Sequence, residues 1–509
     1  MTEHDAAVVA LDREHHRGVV DHRLFGSFVE HMGRCVYTGI YEPTHPAADA
    51  DGFRSDVSSF VRELGVTLVR YPGGNFVSGY DWRDGIGPRE QRPRRLDLAW
   101  RSIETNQIGT DEFMGWARAR GVEPMLAVNL GTAGVLDAAA LVEYCNVPEG
   151  TEWSERRRRN GALKPHDVKL WCLGNEMDGP WQTGHTTAEQ YGAIAAEAAK
   201  AMRLVDPDIE LVACGSSSHE MPTFGYWEST VLEKAGEYVD YISMHAYYQE
   251  HDGDRDSFLA SGASMDSFIE DVTATIDAVQ ARRRTKKARK INISFDEWNV
   301  WYQSRFPGSE ALPIDIAGPR IEDQYSALDA VVVGDLLSSL INHADRVKIG
   351  CLAQLVNVIA PIMTAPGGEI WRQPTFHPFA AVAAGARGNS LVTQVRRTSE
   401  LATRRYGDVP ALAASATHDP TTGDVAVFLT NRANHSTTVD LQHPNFQGWT
   451  TISAQHLAAD DHGPRDFETS ADVSLTPLST SASADGRGTG ITLPPHSWTV
   501  VRAATTSTD

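Results

Sequence analysis

The chain has 509 residues, 41% of them apolar, and a formal net charge of −21; that size can bury large cores, and that charge argues against nucleic acid or an anionic membrane as partner. Its five cysteines (Cys35, Cys145, Cys172, Cys214, Cys351) are odd in number and contain no C-x-x-C pair, which points to a reducing compartment instead of a disulfide framework. Residues 1–18 lack the basic-then-apolar order of a leader, and no run nears the roughly 18 apolar residues of a membrane span, so the expected location is the cytoplasm.

Residues 6–11 form one short apolar run, set apart by a polar turn at His15-His16-Arg17-Gly18. From there strands and helices alternate. Residues 24–29 read as a strand ending at Glu30-His31, and 53–64 have helical spacing. A second strand, 66–71, ends in Pro72-Gly73-Gly74-Asn75; the helix at 110–120 follows, with Thr110 as its N-cap. The third strand, 122–128, ends at Asn129 before an Ala-rich helix at 136–145. The fourth, 167–173, stops at Asn175-Glu176 and is followed by helix 187–205. The fifth, 210–214, runs into Gly215-Ser216-Ser217-Ser218, and the sixth, 238–244, into His245-Ala246-Tyr247 and helix 265–283. The seventh, 290–295, ends at Asp296-Glu297 before helix 323–343; the eighth, 349–355, carries Gln354, with Asn357 beyond.

Eight strand-then-helix units in succession predict a closed (β/α)8 barrel over residues 19–387. In every unit the polar residues gather at the C-terminal end of the strand, the face on which such barrels place their active sites. Past residue 387 helical spacing gives way to short alternating runs at 424–429, 437–441, 491–493 and 498–501, separated by Asn, Pro and Gly. Residues 388–509 therefore read as an antiparallel β-sandwich, jelly-roll-like, which also takes up the N-terminal strand of residues 1–18. Residues 503–509 read as a frayed tail. The basic clusters 156–159 and 282–290 read as solvated surface.

A strand ending in a carboxylate beside apolar surface must pair or protonate that group. Glu176 and Glu297, 121 positions apart (297 − 176), repeat the arrangement on two strands of one barrel rim. Two carboxylates there suit glycosidic cleavage, one protonating the departing oxygen while the other attacks the anomeric carbon or activates water. Trp171 and Met177 lie near Glu176 in sequence and would raise its pKa as an acid needs; Arg70 and Tyr247 would hold Glu297 ionised. His245 reads as a rim hydrogen-bonder. The 19 histidines form no H-x-x-x-H or H-E-x-x-H, so no metal site is expected. The Pro72-Gly73-Gly74-Asn75 stretch lacks a phosphate-loop ending and reads as a tight turn permitting close backbone approach.

At these residues the chain resembles the α-L-arabinofuranosidases of glycoside hydrolase family 51. The likeness is carried by Phe25-Gly26-Ser27-Phe28-Val29-Glu30-His31, Arg70-Tyr71-Pro72-Gly73-Gly74-Asn75-Phe76, residues 171–179, Phe295-Asp296-Glu297-Trp298-Asn299-Val300-Trp301-Tyr302 and residues 354–361. It implies a retaining exo-enzyme that removes terminal arabinofuranose from arabinan or arabinoxylan oligosaccharides, with Glu176 as acid/base and Glu297 as nucleophile. It also implies Glu30, Asn75, Asn175, Tyr247 and Gln354 as holders of the sugar hydroxyls, with Arg70 and His245 beside them. Trp301 and Trp100 would be stacking surfaces at the entrance. The family needs no cofactor and assembles as hexamers. Two alternatives stay open: another retaining glycosidase on the same barrel (an endo-xylanase or β-glycosidase), or a carbohydrate-binding relative without catalysis. The acidic loop 249–256 has no counterpart in the family pattern, which leaves the linkage preference open.

Overall fold

The computed structural model describes residues 6–283, 289–459, 473–483 and 487–506. Eight parallel strands close on themselves: Gly26–Phe28, Leu68–Tyr71, Glu123–Val128, Leu170–Leu173, Glu210–Ala213, Tyr241–Tyr248, Asn292–Val300 and Val347–Leu352. Closure is made by the first strand, which pairs through Gly26 with Leu68 on one side and with Cys351 on the other. These strands are buried on both faces, which is why they read as unbroken apolar runs. Leu68, Met125, Ala127, Leu170, Cys172, Val212, Ile349 and Cys351 fill the interior, while their sequence neighbours pack against the helices. The two-residue period of a strand thereby decides the place of Trp171. It lies in the helix-facing layer, its indole N–H donating to the Val168 carbonyl at 3.0 Å, and not beside Glu176 as the sequence spacing predicts.

The strand-following helices run Ser55–Leu64, Thr110–Arg120, Val135–Asn146, Ala188–Val205, Tyr226–Ala235, Ser261–Arg283, Ala327–Asn342 and Phe376–Gly385. Tyr226–Ala235 and Phe376–Gly385, absent from the sequence reading, complete the fifth and eighth units. Thr110 is the first helical residue, not the cap: Gly109 caps the helix, its N–H donating to Glu112 at 2.9 Å. Only glycine fits there, because a Cβ on Gly109 would stand 1.8 Å from the Gly85 carbonyl oxygen.

Arg157, expected on the surface, is fully buried within the extra helix Glu152–Arg159. Its guanidinium donates to the carbonyls of Tyr144, Val147, Pro148 and Ala162, so it satisfies one carbonyl in the last turn of the preceding helix and three in the loops on either side of its own. Of the second basic cluster, residues 284–288 lie outside the described residues; Arg282 is exposed and pairs with Glu233.

Beyond the barrel stand two facing sheets. One orders Gln394–Arg396, Ala7–Ala10, Thr437–Gln442, Gly488–Leu493 and Thr480–Ala482. The other runs His16–Val19, Asn389–Leu391, Leu412–His418, Asp424–Asn431, Ser497–Ala504, Thr450–Ala458 and Thr476–Pro477. Ala7–Ala10 lies parallel to Thr437–Gln442, and Ala7, Val9 and Leu11 join the core between the sheets. The polar stretch at His16 is a strand paired with Asn389–Leu391, not a turn. The expected fray does not begin at residue 503: Ala503 is in the last strand, and the N–H groups of Thr505 and Thr506 bond to Gly423 and Gln447. Residues 507–509 lie outside the described residues.

Helix Ala327–Asn342 joins the two bodies and is buried on every side from Leu328 to Ile341, as an element with apolar neighbours all round must be. Its Gly334 meets Trp498, where a Cβ would come within 2.2 Å of the indole. Its Asp335 accepts the Arg432 guanidinium of the sandwich at 2.7 Å with both side chains buried. Removing one partner leaves the other charge uncompensated in low dielectric. Arg432→Ala is therefore expected to cost about 3–5 kcal/mol in chemical denaturation; a loss below about 1 kcal/mol, the worth of a surface pair, would contradict this account.

Candidate active site

The C-terminal strand ends open into a cavity of about 850 Å³. Glu30, Asn75, Trp100, Glu176, Tyr247, Glu297, Trp301 and Gln354 line it, whereas Arg70, Asn175 and His245 are buried beneath its wall. All the residues singled out from sequence thus meet at one end of the barrel, in two tiers.

Glu297, near the end of the seventh strand, is held at both oxygens. Arg70 donates to Oε1 at 2.6 Å and the Tyr247 hydroxyl to Oε2 at 2.7 Å. Arg70 also donates to Asn175 Oδ1 at 2.6 Å, and its Nε stands 3.8 Å from Asp296. The guanidinium and the His245 imidazole together hold the Asp296 carboxyl below the usual range, against the burial that would raise it. Burial pushes the Tyr247 phenol well up, and Glu297 adds to the effect, so Tyr247 is a donor at any physiological pH.

Glu176 follows the fourth strand through Gly174, at φ +92°, and itself sits at φ +43°, a conformation that costs a non-glycine residue on the order of 1 kcal/mol. Neighbouring bonds hold the turn. The Gly179 N–H reaches the Glu176 carbonyl at 2.8 Å, and Asp178 Oδ2 accepts both the N–H and the hydroxyl of Ser217 at 3.0 Å. Glu176 Oε1 lies 2.8 Å from His245 Nδ1, and Oε2 accepts the Trp181 indole N–H at 2.6 Å. Burial raises the Asp178 carboxyl to about 6, with the Glu176 charge adding to it.

His245 ties the two carboxylate positions together, its Nε2 lying 3.0 Å from Asp296. Burial alone would lower its pKa; Glu297, Asp296 and Glu176 outweigh that and raise it to about 10. Both ring nitrogens therefore carry protons and donate. Glu176, His245 and Glu297 are the group with cation-ligand spacing among the described residues, one atom from each lying within 4.8 Å of the others.

On the opposite side Glu30 Oε1 accepts the Phe76 N–H and the Trp100 indole N–H, each at 3.0 Å, and Oε2 accepts Gln354 Nε2 at 3.1 Å. Burial pushes Glu30 up to about 8 despite these donors. The double glycine before Asn75 makes room: a Cβ on Gly73 would meet Glu30 Cγ at 2.8 Å, and one on Gly74 would meet Glu297 Oε1 at 3.0 Å. Trp100 is only 7% exposed, so it holds Glu30 more than it offers an open stacking face; Trp301 is half-buried, edge-on to Tyr247 at 5.1 Å. Sequence reasoning overlooked Trp181, half-exposed beside Glu176, and gave no part to Asp296 beneath His245. The Trp in the Gly179-Pro180 break was the available signal for the first; the Asp next to Glu297 was the signal for the second.

Two family models match the chain: the α-L-arabinofuranosidase 1 domain over residues 60–263 and the α-L-arabinofuranosidase C-terminal domain over residues 296–497. The chain is 52% identical over 505 residues to an exo-α-(1→6)-L-arabinofuranosidase of Bifidobacterium longum, covering 97% of this chain and 96% of that one. It is 48% identical over 497 residues to the intracellular exo-α-(1→5)-L-arabinofuranosidase 1 of Bacillus subtilis, covering 97% and 98%. Among solved structures it superposes on AbfB, a family 51 α-L-arabinofuranosidase from Bifidobacterium longum, with TM-score 0.92 and 45% identity, covering 97% of this chain and 99% of that one.

Because the folded pKa of His245 lies above its ordinary value of 6.5, the stability from its protonation is complete below pH 6.5 and is lost as pH rises toward about 10. NMR of the imidazole nitrogens should show both protons at pH 8; a ring losing one proton between pH 6 and 7 would refute the arrangement.

Proposed function

This chain belongs to the α-L-arabinofuranosidases of glycoside hydrolase family 51, and from that premise we propose a retaining, exo-acting enzyme that removes terminal non-reducing α-L-arabinofuranosyl residues. The observation that carries the proposal is the carboxylate pair: an oxygen of Glu176 and one of Glu297 lie within 4.8 Å. Retaining enzymes keep their carboxyl groups about 5–5.5 Å apart, whereas inverting ones leave several ångströms more for a water.

In this reading Glu297 attacks the anomeric carbon and forms the glycosyl-enzyme ester, while Glu176 gives its proton to the departing oxygen. Glu176 then takes a proton from the water that cleaves the ester, and free arabinose leaves. Arg70 and Tyr247 aim Glu297, one bonded to each of its oxygens. His245 and Trp181 orient Glu176. Glu30, Asn75 and Gln354 hold the furanose hydroxyls, Asn175 braces Asn75 from below, and Trp301 closes the entrance. We assign catalysis to residues 19–387 and a supporting role to the sandwich of residues 388–509 with the N-terminal strand.

The substrates we propose are arabinan- and arabinoxylan-derived oligosaccharides. The relatives named for α-(1→5) and α-(1→6) cleavage support this class. The word "intracellular" in relatives' names favours a cytoplasmic site of action, and among the described residues no helix is long and apolar enough to cross a membrane. Assembly as a homohexamer is proposed from the family likeness, and light scattering tests it.

Glu297→Ala should abolish turnover of all arabinofuranosides. Glu176→Ala should slow alkyl or sugar leaving groups roughly 10²–10⁴-fold, the worth of general acid catalysis, and nitrophenyl groups far less, with azide restoring product from the latter. Equal loss for both leaving groups would reverse that assignment. Release of the inverted anomer first, followed by NMR, would overturn retention, and release from a xyloside or glucoside in place of the arabinofuranoside would favour another glycosidase.

A further inference from the structure

The cavity reaches well past the carboxylates, and its outer wall comes from the other body of the protein. The hairpin of Glu400–Thr403 and Gly407–Pro410 pairs Thr403 with Gly407 and presents Arg405 and Tyr406 to the cavity lining. It is firmly seated. The N–H groups of Arg404 and Arg405 both donate to Ser257 Oγ at 3.2 Å, and the Tyr406 N–H reaches Thr403 Oγ1 at 2.9 Å. The Arg405 guanidinium pairs with Glu220 on the loop after the fifth strand. Beside Glu220, His219 stacks on Phe268 at 4.7 Å and bonds to Asp271 at 3.0 Å.

The place of this wall follows from strand order. Glu30, Asn75 and Gln354 stand after the first, second and eighth barrel strands, which are neighbours. Glu176, Glu220 and Ser257 stand after the fourth, fifth and sixth, also neighbours, on the far side of the ring. The group leaving past the acid Glu176 therefore travels toward Glu220 and the hairpin. A guanidinium paired with a carboxylate, a phenol and a nearby imidazole present donors, acceptors and a ring face without excess positive charge, which suits hydroxyl-rich neutral sugars and not anionic ones.

We propose that Arg405 and Tyr406, with Glu220, form an outer leaving-group subsite that holds a later sugar of a neutral oligosaccharide, so that the sandwich takes part in selecting chain length. This rests on the arabinofuranosidase reading above and adds to it the substrate's far end. The test compares linear α-(1→5)-arabinotetraose, whose leaving group extends past the acid by three sugars, with nitrophenyl α-L-arabinofuranoside, whose leaving group is a single ring. For Tyr406→Ala, Arg405→Ala and Glu220→Gln, the ratio of kcat/KM for tetraose to that for the aryl substrate should fall about tenfold, a loss of roughly 1.4 kcal/mol of binding, mainly through KM. Glu220→Gln leaves the hairpin sequence intact, so it guards against misfolding of the other two. An unchanged ratio in Glu220→Gln and in a folded hairpin variant overturns the subsite. If the unaltered protein releases arabinose from neither substrate, the enzyme reading itself fails, a different result from an unchanged ratio.

Discussion

The rim depends on balancing buried charge. Three carboxylates, Glu176, Asp296 and Glu297, each lie within 4.0 Å of a His245 ring nitrogen and are at most 8% exposed. Acids so placed would repel and protonate if left alone. Arg70 and the His245 imidazolium neutralise two of the three charges, and each bridges two carboxylates. By formal count one negative charge is left over on the three carboxylates. Such a cluster can hold one carboxylate as an anion and pass a proton through another. Its worth is functional: buried ion pairs seldom stabilise a fold over apolar packing.

The barrel supplies what that balance needs. Its strands end at different heights: the sixth and seventh run on to Tyr248 and Val300, well past the residue at which their apolar runs stop. The extra length raises Tyr247 and Glu297 above the buried His245 and Asp296, so one pair of strands carries both tiers. Across the ring, Gly73 and Gly74 let the chain press against Glu30 and Glu297: a Cβ would collide with Glu30 at Gly73 and crowd Glu297 at Gly74. The second unit supplies both that backbone approach and the Arg70 guanidinium, while the sixth supplies the His245 imidazolium.

The sandwich is joined to this barrel by burial as much as by linkage. Helix Ala327–Asn342, packed on both bodies, turns the outer layer of the barrel into an interior surface, and the Asp335–Arg432 pair fixes its position. Through the same contact the 400–410 hairpin reaches the βα loops. A domain that looks remote along the chain thus borders the cavity.

The sequence alone determined the barrel, the sandwich and the two glutamates worth watching, because these rest on local rules: apolar runs of strand length, helical spacing between them, and polar residues gathered after each run. The period of two was legible as well, but not its phase, so Trp171 read as a neighbour of Glu176 although it faces the helices. Arg157 read as surface because nothing local shows which carbonyls lack partners. Trp181, His245 bridging Asp296 to Glu176, and the hairpin at Arg405 became visible only in three dimensions. Each acts through a contact whose partner is set by closure of the ring or docking of the sandwich, and no residue's own neighbours along the chain encode that distance.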